Sequence, residues 1–94
     1  MKVFVFEFIT GGGLAREALP PGLAEEGERM LRALVAELAL VRGVEVLIAR
    51  DSRLPALAWI ESIAAGPGRD PLEPYLGGLR MADAVWPVAP ETGG

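Results

Sequence analysis

The sequence contains neither cysteine nor histidine among its 94 residues. The lack of cysteine excludes disulfides and zinc–thiolate sites, and the lack of histidine removes the commonest general base and transition-metal ligand. Long apolar runs are also missing, because charged residues interrupt each one well before the roughly 18–20 residues that a membrane-spanning helix needs. Any chemistry of this chain therefore depends on carboxylates, arginines, hydroxyl groups and backbone amides.

Basic residues are scarce relative to acidic ones. Nine Lys and Arg stand against 13 Asp and Glu, which gives a net charge of -4. Such a chain has no basic stripe with which to neutralise a phosphate backbone. We therefore expect no nucleic acid and no membrane among its partners. Glu7 interrupts the first apolar run and no small-residue cleavage site follows, so we expect a cytoplasmic protein without a secretory signal.

The length and the hydrophobic content of 51% predict one domain with a single core. Residues 3–9 are rich in β-branched and aromatic side chains, which predicts a strand covered on both faces in a parallel sheet. Apolar residues then recur at helical spacing from Leu23 to Val41, and Gly43 supplies a stop. Residues 44–49 predict a second strand, so that strand, helix and strand form a βαβ unit.

The second half of the chain is less regular. Residues 54–65 fit either a short strand or an Ala-rich helix. Asp70 and Pro71 predict the N-cap and the first residue of a short helix. Residues 82–88 predict a third core strand, in which Pro87 has to face an edge or a bulge because it has no N–H. These elements predict an α/β domain with a mainly parallel sheet and a core strand order of 2-1-3.

Two loops would flank the crevice at the carboxyl ends of these strands, where ligands bind in open parallel sheets. In the first loop, the amides of Gly11, Gly12 and Gly13 could approach a phosphate or carboxylate closely, or the glycines could simply form a turn. The second loop follows the third strand. Its Glu91 and Thr92 could contact a ligand or cap a following helix.

Two acidic residues near strand ends need an explanation. Glu7 stands within an apolar strand, where it has to reach the strand end or find a partner, and a functional or a structural role is equally open. Asp51 is too far from the glycines to be the ribose-binding acid of a dinucleotide fold, and we expect it to form a local turn or pair with Arg50 or Arg53. Trp59, Tyr75 and Trp86 are expected in the core or at an interface, and the alternative is that one of them stacks on a ligand.

Residues 3–13 (VFVFEFITGGG) and 82–94 (ADAVWPVAPETGG) together resemble the N-terminal domain of ATP-grasp ligases, and most closely the tyramine–glutamate ligase group. The Leu-rich helix with Gly27 and Met30 and the turn into the second strand also fit, so the similarity covers nearly the whole chain. The resemblance implies a small Rossmann-like three-layer domain. It also implies a carboxylate–amine ligase, in which ATP phosphorylates a carboxylate and an amine attacks the acyl phosphate.

The resemblance further implies the role of this domain in the ligase. Glu7 and the three glycines would line one wall of the site that binds the acid or amine substrate. Glu91 and Thr92 would line the opposite wall. Catalytic and metal-binding residues are not expected in this chain, because the family binds ATP and Mg²⁺ in later domains. We therefore expect a fragment of a larger enzyme, inactive alone, with the remaining ligase domains as partners. The alternative is a complete small α/β ligand-binding or oligomerisation module, for which a homodimer is expected.

Overall fold

The structure is a computed structural model that describes residues 1–88. Its elements in chain order are β1 (Lys2–Glu7), α1 (Pro21–Leu38), β2 (Glu45–Asp51), β3 (Glu61–Ala65), α2 (Leu72–Met81) and β4 (Ala84–Val88). Within this part of the chain, all strands run parallel in one sheet of order β3-β2-β1-β4. The predicted order 2-1-3 is confirmed, because the predicted third strand is β4 and β3 is an additional strand beside β2.

The sheet has one helix on each face. Successive side chains of β1 point to opposite faces, as in any strand. Val5 lies in a buried cluster with Leu31 of α1, whereas Phe4 lies in a second cluster that includes Tyr75 of α2. The three-layer α/β arrangement is therefore confirmed.

α1 begins at Pro21 and ends at Leu38, so it starts before Leu23 and stops short of the predicted Val41. Proline suits the first turn of a helix because its missing N–H would have no partner there. Turns follow the helix, and Gly43 takes a φ of +82° just before β2. Gly43 therefore forms the turn into β2 and does not cap α1. Neither helix in residues 1–88 combines the length and apolarity needed to cross a bilayer.

The ambiguous segment 54–65 ends in a strand and contains no helix. β3 pairs with β2 from Leu47 opposite Glu61 to Asp51 opposite Ala65. Most of the β3 side chains are exposed. This strand has no clear alternation of apolar and polar residues, which explains why its pattern was ambiguous.

β4 lies at the edge of the sheet, where its one neighbour among the described strands is β1. It starts two residues later than predicted, and Val85 and Trp86 are 39% and 50% exposed. The helices pack over β1, β2 and β3. The predicted core position is therefore wrong for Val85 and Trp86, whereas Ala84 and Val88 do pack against the buried cluster that contains Val5. Pro87 occupies the edge position that a proline requires.

We expect Gly78→Ala to lower the free energy of unfolding by about 1–3 kcal/mol, because overpacking strains a filled core. A β-carbon at Gly78 would overlap the fully buried ring of Phe4, where α2 crosses β1. Gly77→Ala is the matched control, since its β-carbon would lie 3.6 Å from Ile63 Cδ1, an ordinary contact. Urea unfolding measures both variants, and equal stabilities would contradict this packing.

Candidate functional site

A cavity of about 470 Å³ lies at the carboxyl ends of β1 and β4, on the face of the sheet that carries α2. We call it the carboxyl-edge cavity. Its walls come from the end of β1, the loop after β1, the end of β4 and the start of α2. The lining residues are Phe6, Phe8, Gly13, Asp70, Pro71, Leu72, Tyr75 and Pro87.

The chain topology explains why the cavity lies there. From β1 the chain passes through α1 to β2 and then to β3, on one side of β1. α2 then returns the chain to β4, on the other side of β1. The connections that leave β1 and β3 thus run in opposite directions across the sheet, and such a switch point opens a crevice at the carboxyl ends of the strands.

The lining of the carboxyl-edge cavity is mainly aromatic and apolar. Phe6 and Tyr75 meet edge to face, with ring centroids 4.8 Å apart. Asp70 is the one charged residue among the described residues that line it. Its Oδ1 accepts a hydrogen bond from the backbone N–H of Leu72 at 2.9 Å, so Asp70 caps the start of α2. The hydrogen bond is the one predicted for Asp70, although α2 itself begins at Leu72, one residue later than expected.

Glu7 ends β1 and turns its carboxylate into the protein. The residue is 1% exposed, and its carboxylate accepts hydrogen bonds from the backbone N–H groups of Ile9 at 3.0 Å and Thr10 at 2.7 Å. It also fills the space beside Gly27 of α1, where a β-carbon would overlap it. This buried acid both reaches the strand end and finds partners. The carboxylate shapes the following loop and does not line the cavity.

Residues 8–17, which we call the glycine loop, form a series of turns. The N–H of Gly11 donates to the carbonyl oxygen of Glu7, and the N–H of Gly13 donates to that of Phe8, both at 2.8 Å. These two amides, which the sequence suggested as anion donors, are engaged within the protein. Their hydrogen bonds fix the shape of the loop.

Close packing accounts for all three glycines of the glycine loop. A β-carbon at Gly11 would overlap the carbonyl oxygen of Glu7. Gly12 has a φ of +92°, and a β-carbon there would overlap Ala65 at the end of β3. A β-carbon at Gly13 would overlap the ring of Phe8. A larger residue at Gly12 would therefore push the loop away from β3, and a larger residue at Gly13 would displace the ring of Phe8, which lines the cavity.

Arg50, near the end of β2, connects the sheet to α1. Its guanidinium makes two hydrogen bonds of 2.6 Å to the carboxylate of Glu28 and donates to the carbonyl oxygen of Pro55 at 2.7 Å. The hydrogen bonds and charge of Arg50 hold the pKa of Glu28 below its ordinary value, although partial burial opposes this shift. Sequence reasoning had not identified this pair, which joins residues on different elements.

Arg53 connects the end of β2 to the glycine loop. Its guanidinium binds the buried carboxylate of Asp51 at 2.8 and 3.0 Å and also donates to the carbonyl oxygens of Leu14 and Glu17. The local pair expected for Asp51 is confirmed. The hydrogen bond from Arg53 is the main cause of a lowered pKa at Asp51, against the opposing effect of burial.

Of the predicted substrate-binding residues, Gly13 lines the cavity, whereas Glu7, Gly11 and Gly12 do not. Glu91 and Thr92 lie outside the described residues. Of the lining residues of α2, sequence reasoning considered Tyr75 as a core residue or a ligand contact and missed Leu72. One signal could have placed both residues at the site, because a helix that follows a parallel strand starts at the carboxyl edge of the sheet. In residues 1–88, no three Asp or Glu side chains are close enough together to hold a metal ion.

Comparison with known proteins identifies a family for more than half of the chain. The family model of the pre ATP-grasp 3 domain matches residues 44–94. That range includes β2, β3, α2 and β4, whereas Glu7 and the glycine loop precede it. No curated protein and no solved structure matches the chain.

We expect Glu7→Gln to destabilise the fold by about 1–3 kcal/mol, because an amide leaves one buried backbone N–H without an acceptor. The amide oxygen can replace one carboxylate oxygen, but the NH₂ group would face the N–H of Ile9 or Thr10. Glu25→Gln is the control, since Glu25 is exposed on α1. Thermal and urea unfolding compare the two, and equal stabilities would disprove the structural role of the carboxylate.

The lowered pKa values of Glu28 and Asp51 predict that stability decreases in acid. A carboxylate with a lower pKa in the folded state contributes stability that is complete above its ordinary pKa of about 4 and is lost as pH falls through the lowered value. Glu28→Gln removes one such contribution. We expect wild type to exceed this variant in unfolding free energy at neutral pH, and the gap to shrink toward about pH 2. A gap independent of pH would contradict the ion pair with Arg50.

Proposed function

The chain belongs to the pre ATP-grasp 3 domain family, and from this premise we propose that it is the substrate-side domain of an ATP-dependent carboxylate–amine ligase. The family match supports an N-terminal domain of an ATP-grasp enzyme. The observation that supports the finer proposal is the carboxyl-edge cavity. Its volume of about 470 Å³ and its apolar lining with one carboxylate are typical of small-molecule sites.

In this proposal, the cavity binds the acid or the amine that the enzyme joins. Phe6 and Tyr75 contact the apolar part of the substrate and exclude water from it. Phe8 and Gly13 form the wall next to the glycine loop, while Glu7 acts indirectly by holding that loop. Gly11 and Gly12 support the same wall through the turns of the loop. We retain Glu91 and Thr92 as proposed substrate contacts on the opposite side.

ATP and Mg²⁺ do not fit the described residues of this chain. The cavity lining within residues 1–88 includes no Lys or Arg that could pair with phosphates. The same part of the chain has no cluster of three acidic side chains for a metal ion. We therefore propose that ATP and Mg²⁺ bind to the remaining ligase domains and that this chain alone does not catalyse amide formation.

A second candidate function is a ligand-binding or oligomerisation module without enzymatic activity. The observation that favours it is β4, whose Val85 and Trp86 are exposed although a parallel strand is normally covered on both faces. Such a strand suits an interface with a second copy of the chain. A stable dimer in sedimentation, combined with no binding of candidate acids or amines in the cavity, would favour the oligomerisation module.

We expect the 94-residue chain to bind candidate acids or amines in the cavity, with NMR shifts at Phe8, Gly13 and Tyr75, and to form no amide from acid, amine and ATP. Leu72→Trp should weaken binding about tenfold, or roughly 1.4 kcal/mol, because the indole fills the cavity. Met81→Trp is the matched control, since Met81 is similarly exposed on α2 but does not line the cavity.

Two results would contradict the proposal. Amide formation by the 94-residue chain alone would show that it is not an auxiliary domain. Equal affinities of Leu72→Trp, Met81→Trp and wild type would show that the ligand binds elsewhere.

A further inference from the structure

Arg53 lies outside the carboxyl-edge cavity, yet it contacts the loop that forms one wall of it. Its Nη2 donates to Leu14 at 2.8 Å and to Asp51 Oδ2 at 2.8 Å, and its Nε donates to Asp51 Oδ1 at 3.0 Å. Nη1 donates to the carbonyl oxygen of Glu17. One guanidinium therefore joins the end of β2 to the second half of the glycine loop.

Two further contacts hold the first half of the loop to the same end of the sheet. The N–H of Asp51 donates to the carbonyl oxygen of Thr10 at 2.7 Å. Gly12 packs so closely on Ala65 of β3 that no side chain fits between them. The glycine loop is thus attached to the carboxyl ends of β2 and β3 along its length, with Arg53 as its charged attachment.

The opposite side of the loop faces the cavity. Phe8 and Gly13 line it, and they are joined by a hydrogen bond of 2.8 Å between the N–H of Gly13 and the carbonyl oxygen of Phe8. Gly13 directly precedes Leu14, which Arg53 binds. A displacement of Leu14 would therefore move the cavity wall.

We propose that Arg53 is a positioning residue, which sets the affinity of the cavity by holding the glycine loop without touching the ligand. This inference rests on the proposed function, because it takes the cavity as the substrate site. The chemistry requires arginine: its planar fork of donors reaches several acceptors at once, whereas the ammonium of lysine is a compact charge that cannot match this geometry.

Arg53→Lys tests the proposal, and Arg50→Lys is the matched control. Both residues lie near the end of β2 and pair with a carboxylate, but Arg50 binds Glu28 and Pro55 rather than the glycine loop. Hydrogen exchange by NMR reports the loop through the amides of Gly13, Ala15 and Glu17, which bond to carbonyl groups within it. We expect at least tenfold faster exchange of these amides in Arg53→Lys, and wild-type exchange in Arg50→Lys.

The second measurement is binding of indole, a neutral aromatic probe small enough for the cavity, followed by NMR shifts at Phe8 and Leu72. We expect about tenfold weaker binding in Arg53→Lys and wild-type affinity in Arg50→Lys, even where Arg50→Lys lowers Tm by as much. A purely structural role of Arg53 would lower Tm and leave both the loop exchange and the affinity unchanged.

The outcomes distinguish a failure of the positioning role of Arg53 from a failure of the proposed function of the cavity. Unchanged loop exchange in Arg53→Lys, or equal loss of affinity in both variants, would overturn the positioning role. Failure of the wild-type chain to bind indole or any acid or amine would instead overturn the proposed function of the cavity. Faster loop exchange together with selective loss of indole affinity in Arg53→Lys would support both.

Discussion

The buried carboxylate of Glu7 is the group around which the carboxyl edge of the sheet is organised. A carboxyl group removed from water requires hydrogen bonds, and its donors here are the backbone amides of Ile9 and Thr10. Meeting that requirement ends β1 and turns the chain at Phe8. The same carboxylate occupies the space beside Gly27, so it also limits which residues α1 can place against the sheet. One acid thus governs both the start of the glycine loop and the approach of a helix.

The central elements of the fold could be predicted because their patterns arise from burial on both faces. β1 and β2 each contain four consecutive apolar residues, 3–6 and 46–49, and α1 has a clear helical period. β3 has neither signal, since Glu61 and Ser62 are exposed and its alanines are small. β4 has the apolar composition of a core strand, yet composition does not reveal whether helices cover it. Pro87 was the residue that indicated an edge.

The position of the candidate site could be predicted better than its chemistry. Three glycines after β1 marked the correct loop, but the need for glycine at Gly12 comes from Ala65, more than fifty residues later in the chain. The contacts of Arg53 with Leu14 and Glu17 span 39 and 36 residues and have no local pattern. Asp70 and Pro71 indicated where along the chain α2 begins. Predicting that α2 lines the site also required recognising β3, because only that strand shows at which edge of the sheet the helix starts.

The positions of the aromatic residues determine what the intrinsic fluorescence of this protein reports. The described core contains Phe4 and is bordered by Phe6 and Tyr75, whereas Trp59 and Trp86 are 61% and 50% exposed. The emission of an indole ring depends on its contact with water, and both of these rings are exposed to solvent in the folded chain. Their fluorescence is therefore a weak signal of unfolding and a sensitive signal of anything that covers β4 or the turn before β3. The fold thus carries an intrinsic reporter of association at its surface.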